Sequence, residues 1–429
     1  MTQKQQNYSF ALSVMFIVSF LLGFITTMNN SMINFCKWAF ELDQMQGQLV
    51  NTAFYGAYVL SIPLAILMNK LGYKRTLVLG LFVIAFGFIL NYFAIGIFAG
   101  TDKIYWAFLS CMFVVAIGIV FLQLVMNPYV KALGTVETSA SRMTLNQSLN
   151  SLATTLAPMF VSILIVSNNK SAGLPPTVND ALGIQNPFIF LGIFTLVLGG
   201  ILLMLKLPSI KEEEQVSIDG KAQKFHKSIF KYPHIFLGAF AIFCYMGVEI
   251  GIPSFLPQRM EGLGLTSAIL IPGFISDFFT MLGMNMNEAT SILVLYWFGM
   301  LVGRASGSLV LGKFDSKKVL LVALALSALC VALSLLTTGA IVIWLLILTG
   351  LFHSIMWPCI FNLGLEELGP HTKAASGIIN TGVIGAALLM PIMGQIEKTA
   401  GLTIVFCCLF VYYAYIMWFT VKGSQIRLK

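Results

Sequence analysis

A few polar side chains stand in stretches of this sequence that are otherwise apolar. Asn29 and Asn30 follow Thr26-Thr27-Met28. Gln123 and Asn127 are four residues apart, as are Asn146 and Asn150, with Gln147 beside them. Residues four apart share one face of a helix, so each pair can act on one partner. Glu249, Arg304, His353, Trp357 and Asn380 are more isolated. An amide presents both donor and acceptor and can match hydroxyl groups without charge. An indole can cover the C–H face of a pyranose ring. The set therefore suits a neutral polyol, with Asn29, Asn30, Gln123, Asn127, Gln147, Asn150, Glu249, His353, Trp357 and Asn380 as substrate-binding candidates. A phosphorylated or carboxylate substrate would need more buried cations than Arg304. A lipid-like substrate would need fewer amides.

The same residue types also hold helices together by hydrogen bonds, and Trp357 and His353 can be packing residues. No second His or Cys keeps ligand spacing with His353, so no metal site is expected. No nucleophile–base pair stands out, and no phosphate loop or dinucleotide fingerprint occurs in strand–helix context, so neither an enzyme nor a cofactor is expected. Glu249 is the most informative residue. A buried acid must be protonated or paired, which makes it a coupling candidate. His353 is the other, because imidazole is the remaining group that titrates near neutral pH. Arg304, about eight residues from its helix end, can reach the interface or pin a gate. Lys70 and Arg75 join it as gate or structural residues.

The elements that carry these groups must be membrane helices. Of 429 residues, 58% are hydrophobic and only 10% charged, with a mean hydropathy of +0.88. A soluble domain carries about 25% charged residues. Continuous apolar runs predict helices rather than barrel strands, over 10–36, 46–69, 76–97, 104–131, 143–167, 186–207, 234–260, 288–312, 317–338, 341–365, 371–396 and 402–422. The first run is too long for a signal peptide and reads as a span. The seven cysteines lie in or at the ends of apolar runs and read as small packing residues. With both termini in the cytoplasm, most of the 25 Lys and Arg fall inside, including Lys70, Lys74, Arg75, Lys313, Lys317 and Lys318. That is the expected bias for a multi-pass protein of a bacterial inner membrane. Anionic lipid suffices to explain the charge of +8, with no nucleic-acid partner. Residues 265–284 are apolar but contain Pro272 and Asp277. Counting them as a span would move the Lys313–Lys318 cluster outside, so an outer loop with an interfacial segment is expected.

The most polar internal stretch, 208–233, divides six helices (1–207) from six (234–429). Gly56, Lys70, Lys74 and Arg75 map onto Gly299, Lys313, Lys317 and Lys318 at one constant offset. Pro128, Gly134 and Asn150 map onto Pro358, Gly364 and Asn380 at another. Such a repeat predicts two related bundles, a site between them near the midplane, and alternating access by rocking.

These residues also carry a resemblance. The stretch NTAFYGAYVLSIPLAILMNKLGYKRTL, which ends at Leu77, is similar to the helix 2–3 signature of major facilitators, with Pro63 and Asn69 where that pattern prefers Gly and Asp. The stretches GFITTMNNSMI (23–33), LQLVMNPYVKALG (122–134), LNQSLNS (145–151) and FCYMGVEIGIPSF (243–255), with Gly303-Arg304 and Trp357–Gly369, resemble the fucose/glucose/galactose–proton symporter family across nearly the whole chain. The resemblance implies an all-α protein of twelve transmembrane helices in two pseudo-symmetric bundles, importing a hexose or a deoxy- or amino-hexose. It implies sugar contacts at Gln147 and Asn150. Asn30 stands where the family has Asp, Gln123 where fucose-type members have Glu, and Trp357-Pro358 where they have Tyr-Pro. Both acids linked to proton coupling are thus amides here, and Glu249 becomes the candidate carrier. Uniport, sodium coupling, a larger saccharide or muropeptide substrate, and a non-transporting sugar sensor remain alternatives. A monomer suffices for any of them.

Overall fold

The computed structural model describes residues 8–133, 139–165, 175–205, 207, 228–281, 289–311, 313–366, 368 and 371–425. Among the described residues there are twelve long helices: α1 (Ser9–Ser31, continued by Ile33–Ala39), α2 (Gln44–Gly56, a 3-10 turn Ala57–Leu60, then Ser61–Leu71), α3 (Tyr73–Phe98), α4 (Ile104–Ala132), α5 (Ser139–Leu164), α6 (Gln185–Met204), α7 (Pro233–Glu249 and Gly251–Gly262), α8 (Leu293–Leu311), α9 (Ser316–Leu336), α10 (Ala340–His353 and Met356–Gly364), α11 (Thr372–Thr381, a 3-10 turn Gly382–Ile384, then Gly385–Ala400) and α12 (Leu402–Val421). Eleven are long and apolar enough to cross a membrane. The other, α5, has 26 residues, enough at 1.5 Å each to cross a core about 30 Å thick. It is less apolar because it carries Asn146, Gln147, Asn150, Ser151, Thr154 and Thr155. Packing against α1, α4 and α8 keeps that polar side from lipid.

The two halves repeat one packing scheme. In the first, α1 packs on α5, α2 on α4, and α3 on both α4 and α6. In the second, α7 packs on α11, α8 on α10, and α9 on both α10 and α12. The counterparts α3 and α9 turn apolar rows outward: Phe86, Leu90, Phe93 and Ile97 on one, Val322, Leu326, Leu329, Leu333 and Leu336 on the other. Spacings of three and four place each row on one helix face, as a lipid-facing surface requires. Close crossings rest on missing side chains. A Cβ on Gly303 of α8 would run into the Leu351 carbonyl and Ser354 of α10.

Two spans are broken near their middles, each just before a proline. Pro253 has no N–H to give the Glu249 carbonyl, and Pro358 none for Ser354, so α7 parts at Ile250 and α10 at Ser354–Ile355. Tyrosines take up carbonyls at the breaks. The Tyr296 hydroxyl donates to the Glu249 carbonyl at 3.1 Å, and that of Tyr245 to the His353 carbonyl at 3.1 Å. Broken helices at membrane depth are tolerated where such partners exist and commonly mark binding sites.

The interfacial segment expected over 265–284 consists of two short helices, Ser267–Leu270 and Gly273–Met281, with Ile269, Phe274, Phe278 and Met281 turned outward. Of the linker expected over 208–233, residues 208–227 lie outside the described part, as do 282–284 of the interfacial segment.

Candidate substrate site and the bundle interface

The face of the bundles that carries both described ends is called the termini face here, the other the opposite face. On the opposite face the halves are sewn together. Ser254 of α7 donates to Asn30 Oδ1 of α1 at 2.9 Å. Asn51 of α2 donates to Ser254 at 3.4 Å and to Gln48 Oε1 at 3.0 Å, and Asn29 donates to Asn51 Oδ1 at 3.4 Å. Thr52 donates to the Ala387 carbonyl of α11 at 2.7 Å. At the rim, Lys398 pairs with Asp43 at 3.0 Å. Asp43 also caps α2 in a reciprocal box with Gln46. Its carboxyl is held below the ordinary value of 3.8, first by the Gln46 backbone N–H and then by Lys398.

The termini face is joined differently. Arg304 of α8 donates to Ser151 Oγ at 2.7 Å and to Asn150 Oδ1 at 3.3 Å, both on α5. Asn380 of α11 donates to Ser61 of α2 at 3.3 Å, and the site of a Gly377 Cβ lies 3.4 Å from Ala65. Helices α1 and α7 meet across the interface, whereas α4 and α10 make no comparable contact among the described residues. The opposite face is therefore the more completely closed.

These contacts sort the candidates from the sequence. Asn29 and Asn30 are buried in the clasp on the opposite face. Asn150 is occupied at both ends, since its Nδ2 also donates to the Ser19 carbonyl of α1 at 2.9 Å. Asn380 is a strut between bundles. Arg304 spans the bundle interface, donating from α8 to α5. Lys70 and Arg75 are exposed and bond no described residue. It is Lys74 that ties α3 to α6, donating to the Leu203 carbonyl at 2.9 Å. His353 is fully buried inside the second bundle. Its Nδ1 lies 2.8 Å from the Tyr296 hydroxyl and its Nε2 2.8 Å from that of Tyr413. With both ring nitrogens engaged by its own bundle, it positions α8 and α12 about the α10 break, where the sequence suggested a sugar contact. The side chain of Asn127 lies outside the described part.

Gln123 on α4 and Gln147 on α5 remain half-buried, and their amides bond no described residue. Trp357, also half-buried, stacks on Phe361 with ring centroids 4.7 Å apart and planes 13° off parallel. Glu249 ends the first piece of α7, half-buried close to Tyr245 and within reach of the Arg304 charge. Open amides, a paired aromatic surface and one acid beside a helix break can recognise a neutral, hydroxylated ring. Among the described residues no group of His, Cys, Asp and Glu is placed to hold a metal ion. The sequence reading missed Gln48, Asn51 and Ser254. The spacing of three between Gln48 and Asn51 in an apolar run was the available signal.

A family model described as Major Facilitator Superfamily matches residues 15–391. The glucose/galactose transporter of Brucella abortus biovar 1 (strain 9-941) is 36% identical over 426 residues, spanning 99% of this chain and 96% of the relative. The L-fucose-proton symporter of Escherichia coli (strain K12) is 28% identical over 415 residues, 93% of this chain and 89% of the relative. Among solved structures, the transporter FucP in the outward conformation superposes with a TM-score of 0.69 at 25% identity, covering 97% of this chain and 99% of that one.

Proposed function

The chain belongs to the major facilitator superfamily and groups there with the glucose/galactose transporters; from that premise we propose that it imports a neutral hexose, or a deoxy- or amino-hexose, by alternating access. It is a multi-pass sugar transporter and not an enzyme. The observation that carries the substrate class is the pair of half-buried amides, Gln123 and Gln147, that bond no described residue, together with the Trp357–Phe361 stack. Hydroxyls complete both amides, and the stacked rings offer a face to the sugar's C–H side.

Orientation follows from charge. Lys70, Lys74, Arg75, Lys313, Lys317 and Lys318 all lie at the termini face, which the positive-inside rule makes cytoplasmic in a bacterial inner membrane. The structure then corresponds to a state closed toward the outside. A monomer contains every part the mechanism uses.

Coupling is assigned to Glu249. A proton-coupled carrier needs a group that changes charge between its two states. Asn30 and Gln123 cannot do so, and His353 is locked between two tyrosines. Glu249 sits at the α7 break, near the cation that bridges the bundles, so its charge acts on the Arg304 contact with α5. The test is counterflow of a labelled hexose panel in proteoliposomes, followed by uptake under an imposed pH gradient. Wild type should concentrate sugar with the gradient, while Glu249→Gln should retain counterflow and lose concentration. Uptake that ignores the gradient would instead favour uniport or sodium coupling, and absence of counterflow for every sugar would favour a sensor.

A further inference from the structure

The clasp on the opposite face is built from more polar groups than it satisfies. Asn29, Asn30, Gln48 and Asn51 of the first bundle and Ser254 of the second are all buried. Four hydrogen bonds connect them, with Asn51 as the hub. Asn29 Oδ1, Asn30 Nδ2 and Gln48 Nε2 are left without a partner. Farther down α2, the buried hydroxyls of Tyr55 and Tyr58 are also unpartnered. Gln48, Asn51, Tyr55 and Tyr58 recur at three- and four-residue spacing, so they form one stripe along α2. Reversing the Asn30 amide would let its nitrogen donate to Ser254, but the oxygen would then be orphaned instead.

Helix-to-helix glue has no reason to be built this way. Unsatisfied buried polar atoms are expensive, and an interface that served only to seal would be more stable with apolar side chains. The groups left over are amide N–H, amide oxygen and phenol, the set that hydroxyls satisfy from both sides. They are sealed in this state and become accessible only when α1 and α2 draw away from α7. From these observations we infer that Gln48, Asn51 and Ser254, with the Tyr55–Tyr58 stripe below them, form an entry subsite for sugar hydroxyls. It is open when the opposite face is open and closes upon itself as the sugar passes inward. Closure exchanges bonds to sugar hydroxyls for the amide–amide and amide–serine bonds seen here, so the residues that gate the path also select what enters. The inference rests on the sugar-transport reading and adds residues to its specificity.

The experiment pairs side-chain deletion with hydroxyl deletion. Uptake from the opposite face is measured for a transported hexose and each of its monodeoxy analogues, in wild type, Gln48→Leu, Ser254→Ala and Tyr58→Phe. In wild type, at least one analogue should be disfavoured in kcat/KM by about 5- to 50-fold, the usual result of leaving a buried hydrogen-bonding group unpaired. In Gln48→Leu, or in either of the other two variants if that one fails to fold, the disadvantage of that analogue should fall to about twofold or less, since the group it left unpaired is gone. A purely structural clasp would scale the parent sugar and every analogue together, and that result, or unchanged discrimination in all variants that fold, overturns the subsite. A wild type that moves no sugar would remove the transport reading itself, and the subsite with it.

Discussion

At the scale of single residues, the interior separates groups that are used up from groups that are left open. His353 and Asn150 looked like sugar ligands in the sequence because both are polar and lie deep in apolar runs. Each proves to be fully engaged by protein, His353 by two tyrosines and Asn150 by Arg304 and the Ser19 carbonyl. Gln123, Gln147 and Trp357 were equally visible and keep surface available. Trp357 should therefore contribute a ring face to the sugar. Trp357→Ala should weaken hexose binding by about 1–2 kcal/mol, or roughly 5- to 30-fold, while Trp357→Phe keeps most of the affinity. Titration of purified protein with sugar, following intrinsic fluorescence of the remaining tryptophans or heat, measures it. Equal affinity in wild type and the Ala variant would return Trp357 to a packing role with Phe361.

At the scale of elements, the breaks in α7 and α10 are the devices that bring side chains and carbonyls to mid-membrane. The reading of continuous spans over 234–260 and 341–365 passed over both breaks, and only their prolines, Pro253 and Pro358, were visible. The tyrosines that make the breaks tolerable were not, because Tyr245 and Tyr296 lie on other segments and only packing brings them to those carbonyls. A proline interrupting a helix opposes its continuity by about 3 kcal/mol. Pro253→Ala should restore an N–H for the Glu249 carbonyl, straighten α7 and leave the Tyr296 hydroxyl to His353 alone. The expected result is an unchanged or raised Tm with slower turnover, since the break would no longer flex between states. Thermal unfolding in detergent and initial-rate counterflow report the two quantities separately. A variant with lower Tm and normal turnover would count against the break as a moving part.

At the scale of the whole molecule, two bundles are held closed on one face by a polar clasp and a rim ion pair. Asp43 carries the pH dependence of that rim. Its carboxyl is held below 3.8 in the folded protein by the Gln46 N–H and Lys398. A depressed acid contributes its stabilisation above the ordinary value, and the contribution disappears as pH falls through the depressed one. Closure of the opposite face should therefore be insensitive to pH near neutrality and weaken only in strong acid below that ordinary value. The Lys398 pair itself is largely exposed and worth roughly 0–1 kcal/mol, less at high salt. Asp43→Asn should abolish the acid-dependent part of opening while leaving transport at neutral pH close to wild type. Distances between spin labels on α2 and α11, followed as pH is lowered, check this. An opening transition that persists in Asp43→Asn would assign it to another group.

Composition and periodicity alone were enough for the membrane class and for the number and order of spans. These depend on one-dimensional quantities: how long an apolar run must be to cross a bilayer, and where Lys and Arg interrupt it. Even α5, the most polar of the spans, was read as an apolar run over 143–167. Which polar side chains are free for a substrate was decided only by the tertiary structure. An amide carries the same chemistry whether it binds sugar or a neighbouring helix, and its partner is set by helices far away in sequence. Asn51 and Ser254, about two hundred residues apart, become one clasp because α2 and α7 close against each other. No spacing rule acts across such a distance; the pairing exists only once two bundles meet.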